Sequence, residues 1–431
     1  MSRTTGRTAR AALGLGLALA ALLGAAGPAT SALASAPANP AGLYGSQDPT
    51  YDGVYRQSLA VLAQLAAGTT PAPAAVAWLT GQQCPDGGFE AFRANPAVAC
   101  AAPSSSTYSG ADSNSTALAV QALVALKLTA AADRGLQWLT AHHSADGGWA
   151  YYPDGAAGNA SDANSTAVAW SAFTSAGLPL PTSPAGHTPS EALLALQVGC
   201  SGAAADQGAF TYAGTPNDFA SVQATLAVAG GFLPVPAGSP ANDTPTLTCP
   251  GGATDASGAA AAGAGYVANR LLANGGGLPD PSGSSGTDYG STANAVLALE
   301  SAGHGASAAQ AALRLLAAHQ AVFTTAKGAD LPGSLALLVL AAVAGGQDPH
   351  AFGGSDLVAR LTATITPAAA VAATPSPSAS VTTQPVATQA PAPTLPDTGS
   401  SPAAGWTAAL GVLLLLAGLG LVRLTGRRPR A

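Results

Sequence analysis

Between residues 51 and 363 two kinds of apolar pattern take turns. Segments 54–67, 113–128, 164–176, 219–229, 289–302 and 331–344 are apolar nearly all round, interrupted by single polar residues such as Gln64, Gln121, Gln223 and Asn294. Helices of that composition have no wet face, so they are expected to be buried on several sides. Five of them stop at a glycine (Gly68, Gly177, Gly230, Gly303, Gly345), the residue suited to the left-handed conformation that ends a helix. Segments 73–82, 131–142, 189–198, 259–273, 307–319 and 356–363 carry polar or charged residues along one side and read as amphipathic helices with one dry face. Pro73 and Pro189 stand in a first turn, which tolerates them, and Thr188 can cap the latter helix. Six buried helices alternating with six half-exposed ones predict an all-α double ring with the buried set inside.

The connections repeat as well. Gln83-Cys84-Pro85-Asp86-Gly87-Gly88-Phe89 recurs as His143-Ser144-Ala145-Asp146-Gly147-Gly148-Trp149, and Asp112-Ser113-Asn114-Ser115-Thr116-Ala117 recurs as Asp162-Ala163-Asn164-Ser165-Thr166-Ala167. Weaker copies follow at Asp206 to Phe210 with Asp218 to Ser221, and at Gly276 to Leu278 with Asp288 to Ala293. A period of roughly 50 to 70 residues suits two helices and their loops. The glycine pair predicts a tight turn with positive φ, and Phe89, Trp149 or Phe210 an aromatic wedge against a neighbouring helix.

With Asp-Gly-Gly-Trp/Phe after an outer helix and before the return to an inner one, residues 51–363 resemble the α6/α6 toroid shared by squalene and prenyl-type terpenoid enzymes and the cobalamin carriers. The resemblance implies the fold far more than an activity. Squalene-type cyclases protonate an alkene with Asp-x-Asp-Asp, prenyltransferases hold zinc with Asp, Cys and His, and complement-type thioester domains use Cys-Gly-Glu-Gln. None of these sets is present. The cobalamin carriers repeat an Asp-Thr-Ala-x-Ala kind of string at the helix starts where the corrinoid binds, similar to residues 112–119 and 162–169. They also close a small β domain over the ligand, whereas here a stalk follows residue 363, so no cofactor and no metal is expected.

Six acids, Asp52, Asp112, Asp162, Asp218, Asp288 and Asp330, each precede an inner helix. They are expected at one rim, where a carboxylate accepts from free N–H groups and complements the helix dipole. With Asn114, Asn164, Gln121, Gln223, Trp170, Tyr289 and Asn294 facing the bore, that rim would make a polar and aromatic mouth able to take a ligand. The histidines at 142, 143, 187, 304, 319 and 350 are scattered and form no Ser/His/Asp set. His142-His143 replaces the glutamine expected before the Asp-Gly-Gly turn.

Residues 1–34 combine Arg3, Arg7 and Arg10 with an apolar run and a small-x-small site at Ser31 to Ala34, the pattern of a signal peptide. A linker, 35–50, leads to the helices. Residues 364–394 are rich in Pro, Ala, Thr and Ser and read as an extended stalk. Leu395-Pro396-Asp397-Thr398-Gly399, the apolar run 403–422 and the arginines after it resemble the sorting signal of sortase-anchored wall proteins of Gram-positive bacteria. In that family the transpeptidase's thiolate attacks the bond corresponding to Thr398-Gly399, and a wall-peptide amine captures the acyl group. The tail 400–431 would hold the motif at the membrane until it is cut. The resemblance thus implies a cell-wall location, with sortase and the peptidoglycan cross-bridge as partners.

Charged residues are 8% of the chain and the net charge is −6, so nothing points to nucleic acid. Four cysteines in an exported chain read as two disulfides, Cys84 with Cys100 and Cys200 with Cys249 being favoured among three pairings. The leading expectation is a wall-displayed, non-catalytic binding or adhesion module for a small molecule, a glycan or a protein. The alternative is an extracellular enzyme of terpenoid-cyclase or (α/α)6 carbohydrate-active type using two rim carboxylates.

Overall fold

The computed structural model describes residues 40–156, 160–247 and 253–367. The expected signal peptide, most of the stalk, the sorting motif and tail, and Cys249 lie outside the described residues. Helices dominate: α1 (Gly53–Ala66), α2 (Pro73–Gly81), α3 (Ser113–Ala125), α4 (Thr129–Ala141), α5 (Ala163–Ser175), α6 (Pro189–Leu196), α7 (Asp218–Val228), α8 (Ala256–Ala273), α9 (Tyr289–Ala302), α10 (Ala306–Ala318), α11 (Gln320–Thr324), α12 (Pro332–Ala344) and α13 (Leu357–Ala363). Among the described residues no helix is long and apolar enough to cross a membrane.

All twelve expected helices are present within a few residues of their expected bounds. The all-α expectation needs correction in detail. The one-turn helix α11 follows α10, and three two-residue hairpins pair Thr211–Tyr212 with Thr215–Pro216, Leu278–Pro279 with Thr287–Asp288, and Thr325–Ala326 with Ala329–Asp330. The tips of the first and third, Ala213-Gly214 and Lys327-Gly328, both take positive φ, the backbone that a two-residue turn needs to match strand twist. Alternation of apolar residues cannot signal a strand so short.

The fully apolar helices pack on one another in chain order. Contacts run from α1 to α3, α5, α7, α9 and α12, and α12 packs on α1. Each is joined by the amphipathic helix that follows it, α2, α4, α6, α8, α10 or α13. Four of the five expected glycines take positive φ just beyond their helices, and after α12 the role passes from Gly345, at φ −84, to Gly346, at φ 68. α3, with no glycine, ends with Lys127 in that conformation. Thr188 caps α6 in a reciprocal pair with Glu191, a capping box.

The segments before α1 and after α13 are stitched together. Gly42 N–H donates to Thr366 O (2.9 Å), Thr366 N–H to Leu43 O (2.8 Å) and Gly45 N–H to Thr364 O (2.9 Å). Tyr44 Oη donates to Gln64 Oε1 of α1 (2.8 Å), whose Nε2 donates to Thr362 of α13 (3.1 Å).

The repeated turns show what each glycine does. Gly87 and Gly147 have φ of 101 and 95. A Cβ on either would lie 2.2 Å from Arg134 O of α4, or 2.3 Å from Thr188 O at the start of α6. The first glycine of the pair therefore lets a turn abut the backbone of the next outer helix. The second, contrary to expectation, has ordinary φ. Its Cβ would meet Trp138 Nε1 at Gly88 (2.6 Å) or Thr166 Oγ1 at Gly148 (2.6 Å), so it is demanded by space. The aromatic that follows is buried, and its N–H is bonded by the hydroxyl of the second string: Phe89 to Thr116 (2.9 Å), Trp149 to Thr166 (3.0 Å), Phe210 to Ser221 (2.8 Å). The two repeated strings are thus the two halves of one joint.

Opposite the helix starts, residues 231–241 cross the C-terminal ends of the inner helices. Ser171 Oγ of α5 donates to Gly231 O (2.8 Å), Leu233 N–H to Gln121 Oε1 of α3 (2.8 Å), Gly238 N–H to Ala344 O of α12 (3.2 Å) and Ala241 N–H to Gly303 O (2.8 Å). Leu233 and Val235 are buried beneath this crossing. Glu300 of α9 lies under it as well, its Oε2 buried without a partner, and a Cβ on Gly238 would come within 2.7 Å of that oxygen.

Two outcomes are expected. Gly147→Ala should lower unfolding free energy by about 3 kcal/mol in urea titration, because both the φ and the carbonyl contact oppose a side chain. Burial pushes the Glu300 carboxyl from 4.5 to about 7. The fold therefore binds more protons than the unfolded chain between those values, and stability falls as pH rises through the window. The stability of wild type minus that of Glu300→Gln should drop by on the order of 2 kcal/mol from pH 4.5 to 7.5; a flat difference would show a carboxyl that titrates normally.

Candidate functional site

Local chemistry at the inner-helix starts divides five of the six acids into two groups and leaves Asp52 apart. Asp112, Asp162 and Asp288 are caps, accepting from the N–H of Ser115 (2.7 Å), Ser165 (2.8 Å) and Ser291 (2.9 Å). Asp218 and Asp330 are held by arginines from the outer layer. Asp218, the first residue of α7 rather than its cap, pairs with Arg270 of α8 (2.7 Å) and accepts from Tyr266 Oη (2.6 Å), while Asn217 does the capping (2.8 Å to Ala220 N). Asp330 pairs with Arg360 of α13 (2.6 Å), whose guanidinium also bonds Gln320, Ser355, Thr324 and Thr325. Asp52 makes only a 3.4 Å contact with Arg56 and no capping bond.

The remaining candidates scatter along the helices. Asn114 Nδ2 donates to Asn164 Oδ1 (2.8 Å), joining the first turns of α3 and α5, and Gln223 Nε2 donates to Asn294 Oδ1 (3.2 Å), joining α7 to α9. Tyr289 stacks on His319 and leans on Phe323, centroids 5.7 and 6.0 Å away. Gln121 lies at the far end of α3, spent on the Leu233 amide, so it does not share the rim with Asp112 and Asn114. Trp170 is buried in an apolar cluster with Leu193 and Phe210. Trp170 therefore faces the layer of outer helices, with Leu193 of α6 and Ala259 and Ala260 of α8, rather than the bore, and for Gln121 periodicity says nothing about height along the helix.

The sector over α3 and α5 differs from the rest. Asp112 is fully buried, and its second carboxylate oxygen lacks the close serine-hydroxyl bond that the same oxygen accepts in Asp162 and Asp288 (2.8 and 2.6 Å). Asn114 Oδ1 is buried and unbonded. Burial pushes the Asp112 carboxyl to about 7, against the pull of the Ser115 N–H and hydroxyl and of the Asn114 N–H, which favour the anion. Burial also raises Asp162. Around them stand tyrosines: Tyr55 of α1, held up to about 12 by burial and by the Asp112 charge, and Tyr151 and Tyr152, raised by burial and again by Asp112. Tyr152 meets Tyr151 and Tyr108 edge to face, at 4.8 and 6.3 Å. Tyr212, before α7, also feels Asp162. The tyrosine pair is anchored where Ser113 N–H and Oγ reach Tyr151 O (2.9 Å) and Ala150 O (2.8 Å). Sequence reasoning passed over these rings, although Tyr151-Tyr152 directly follow the Trp149 turn and could have been placed by it.

Chemically the sector offers an unbonded amide oxygen on Asn114, a carboxyl that changes charge near neutrality, and several aromatic faces. No residue there forms a nucleophile–base pair. The expected Cys84–Cys100 disulfide is present, with Cα atoms 5.8 Å apart, and closes the loop that leads toward Asp112. Those sulfurs and Glu90 are close enough to suggest a metal, but the disulfide spends them. Cys200 is disulfide-bonded too; its expected partner Cys249 lies outside the described residues. His143 bonds Gly147 O as Gln83 bonds Gly87 O, but Gln83 also reaches Ala131 O of α4, whereas His143 Nδ1 is buried and unpaired. That histidine is a degenerate turn residue. A groove of about 340 Å³ lies elsewhere, between α10 and the loop after α12, lined by Arg314, Asp348 and Phe352 among others.

No protein-family model and no curated protein matches the chain. Among solved structures it is similar to a crystal structure of a protein from Actinoplanes, at 18% identity and TM-score 0.46, over 72% of this chain and 95% of that one.

The capping and titrating roles of Asp112 separate by substitution. Asn keeps the capping oxygen and removes the charge; Ala removes both. The proton-bound form of Asp112 is favoured in the fold, so its stabilisation is lost as pH rises from 3.8 toward 7. At pH 8, Asp112→Asn should be at least as stable as wild type and Asp112→Ala about 1 kcal/mol below Asp112→Asn in urea denaturation.

Proposed function

We propose that the chain is a wall-anchored surface protein whose paired helices form an α6/α6 toroid, and that this body is a non-catalytic binding or adhesion module. Supporting the double ring is the order of contacts, which returns from α12 to α1 with an amphipathic helix behind each member. Supporting anchorage are the three parts of the C-terminal signal, residues 395–399, 403–422 and the basic tail. The observation that carries the binding reading is the ring cluster at the starts of α3 and α5, where Tyr108 stands half-exposed edge to face with Tyr152, and Tyr152 with Tyr151. Aromatic faces at the mouth of a helical layer are the kind of surface on which a ligand lies.

One observation favours the second reading, an enzyme acting on carbohydrate: a carboxyl held near 7 suits a general acid. Against it, Asp112 is fully buried and already caps α3.

Mass spectrometry of fragments freed by a muralytic enzyme should find the chain ending at Thr398 in amide linkage to a cross-bridge amine. A chain intact through residue 431 overturns the anchoring reading. The purified chain should retain a ligand from wall extracts without changing it, and release of new reducing ends from those extracts would favour the enzyme instead.

A further inference from the structure

We infer that the groove between α10 and the loop after α12 binds a short peptide with free ends, its carboxylate on Arg314 and its ammonium on Asp348. The site stands apart from the tyrosines at the rim and does not depend on what those rings hold. Two glycines shape it. A Cβ on Gly345 would lie 2.3 Å from Leu313 Cδ1, and one on Gly353 would lie 2.3 Å from Ala317 O, so the loop is pressed onto α10 at both ends. Between those contacts it stands off and leaves the space of about 340 Å³, within the range of small-molecule sites. Gln310, Arg314 and Ala317 follow one another at helical spacing and make one wall. The loop that makes the other is held by its own bonds: Gln347 N–H donates to Ala342 O (2.8 Å), Ala351 N–H to Asp348 O (3.2 Å) and His350 N–H to Asp348 Oδ1 (2.9 Å).

Charge identifies the two ends of the ligand. Arg270 and Arg360 are committed to Asp218 and Asp330, but Arg314 is exposed, and nothing among the described residues bonds its guanidinium. Asp348 lines the same groove without forming an ion pair with it. A guanidinium of this kind recognises a carboxylate or a phosphate. A phosphate, however, would bring its charge toward the Asp348 carboxylate, whereas a molecule with an anion at one end and an ammonium at the other suits both walls. Between the charges the floor is apolar, Leu313 and Phe352 being 3% and 5% exposed. Gln310 and Gln347 are exposed beside it, and an amide side chain can both donate to and accept from a peptide unit. Apolar side chains on an amide backbone, with opposite charges at its ends, are the chemistry of a short peptide.

The full chain is titrated calorimetrically with the tripeptide Ala-Leu-Ala, its N-acetyl form, its C-terminal amide and inorganic phosphate. The free tripeptide should bind, and each blocked form about tenfold more weakly. Arg314→Gln should abolish the preference for acid over amide and keep that for amine over acetyl. Asp348→Asn, which retains the oxygen that accepts from the His350 N–H, should do the reverse. Both positions are exposed, so the melting temperature should not move in either variant. Equal affinity for the N-acetyl form, which a chain terminus would also satisfy, overturns the inference, as does phosphate bound as tightly as the tripeptide. Absence of binding by the free tripeptide, or preferences unchanged in both variants, overturns it too.

Discussion

Everything described depends on α12 packing against α1. A helix apolar on all sides needs neighbours on all sides, and with 8% charged residues the chain has few polar groups to spend on a wet edge. In an open row the first and last inner helices would each expose a flank. The contact between α1 and α12 removes both flanks at once, and the three backbone bonds between residues 42–45 and 364–366 hold them together. Small side chains make the approach close: Ala60 and Ala63 of α1 and Ala336 and Ala341 of α12 are fully buried.

The second constraint is the accounting of backbone polar groups at each return to an inner helix. In these turns much of it is met by uncharged side chains, beside the Asp86 and Asp146 carboxylates and the Arg93 guanidinium. Gln83 and Gln197 each bond a turn carbonyl and a carbonyl in the first turn of an outer helix, and Gln57 of α1 does the same for Gly42 O and Ala75 O. Thr116, Thr166 and Ser221 serve the amide of the buried aromatic. An amide or a hydroxyl satisfies a buried backbone group without the desolvation that a charge would cost. The low charge content and the repeated Gln, Asp-Gly-Gly and Ser/Thr strings are thus two sides of one arrangement.

Helix positions were legible in the sequence because burial on every side leaves a long unbroken signal, and Gly68, Gly177 or Pro73 punctuates it. The short hairpins and α11 were not, being too brief for any period to register. At the rim, residue type and position relative to a helix start marked all six acids as caps, and Asp112, Asp162 and Asp288 do cap while Asp52, Asp218 and Asp330 do not. Whether an acid is a cap or an ion-pair partner depends on what the outer helix brings, and Arg270 and Arg360 lie 52 and 30 residues along the chain from Asp218 and Asp330. Gln121 was grouped with the rim because a helical period does not fix height, and Trp170 because a helix apolar all round does not show which side meets the outer layer. The tyrosines were missed because a loop's course over a rim is set by tertiary contacts such as Ser113 to Ala150 and Tyr151.

The stitching of residues 42–45 to 364–366 has a mechanical meaning. Tension applied to the chain beyond Thr366 is first carried by three amide bonds to an antiparallel neighbour, and only afterwards by α13 and the apolar contacts behind it. Such a clasp is short enough to let go before the helices do. A load would then peel α13 from α12 and α1 first, exposing Gln64 and the flank of α1, and the inner helices would be the last elements to feel the pull.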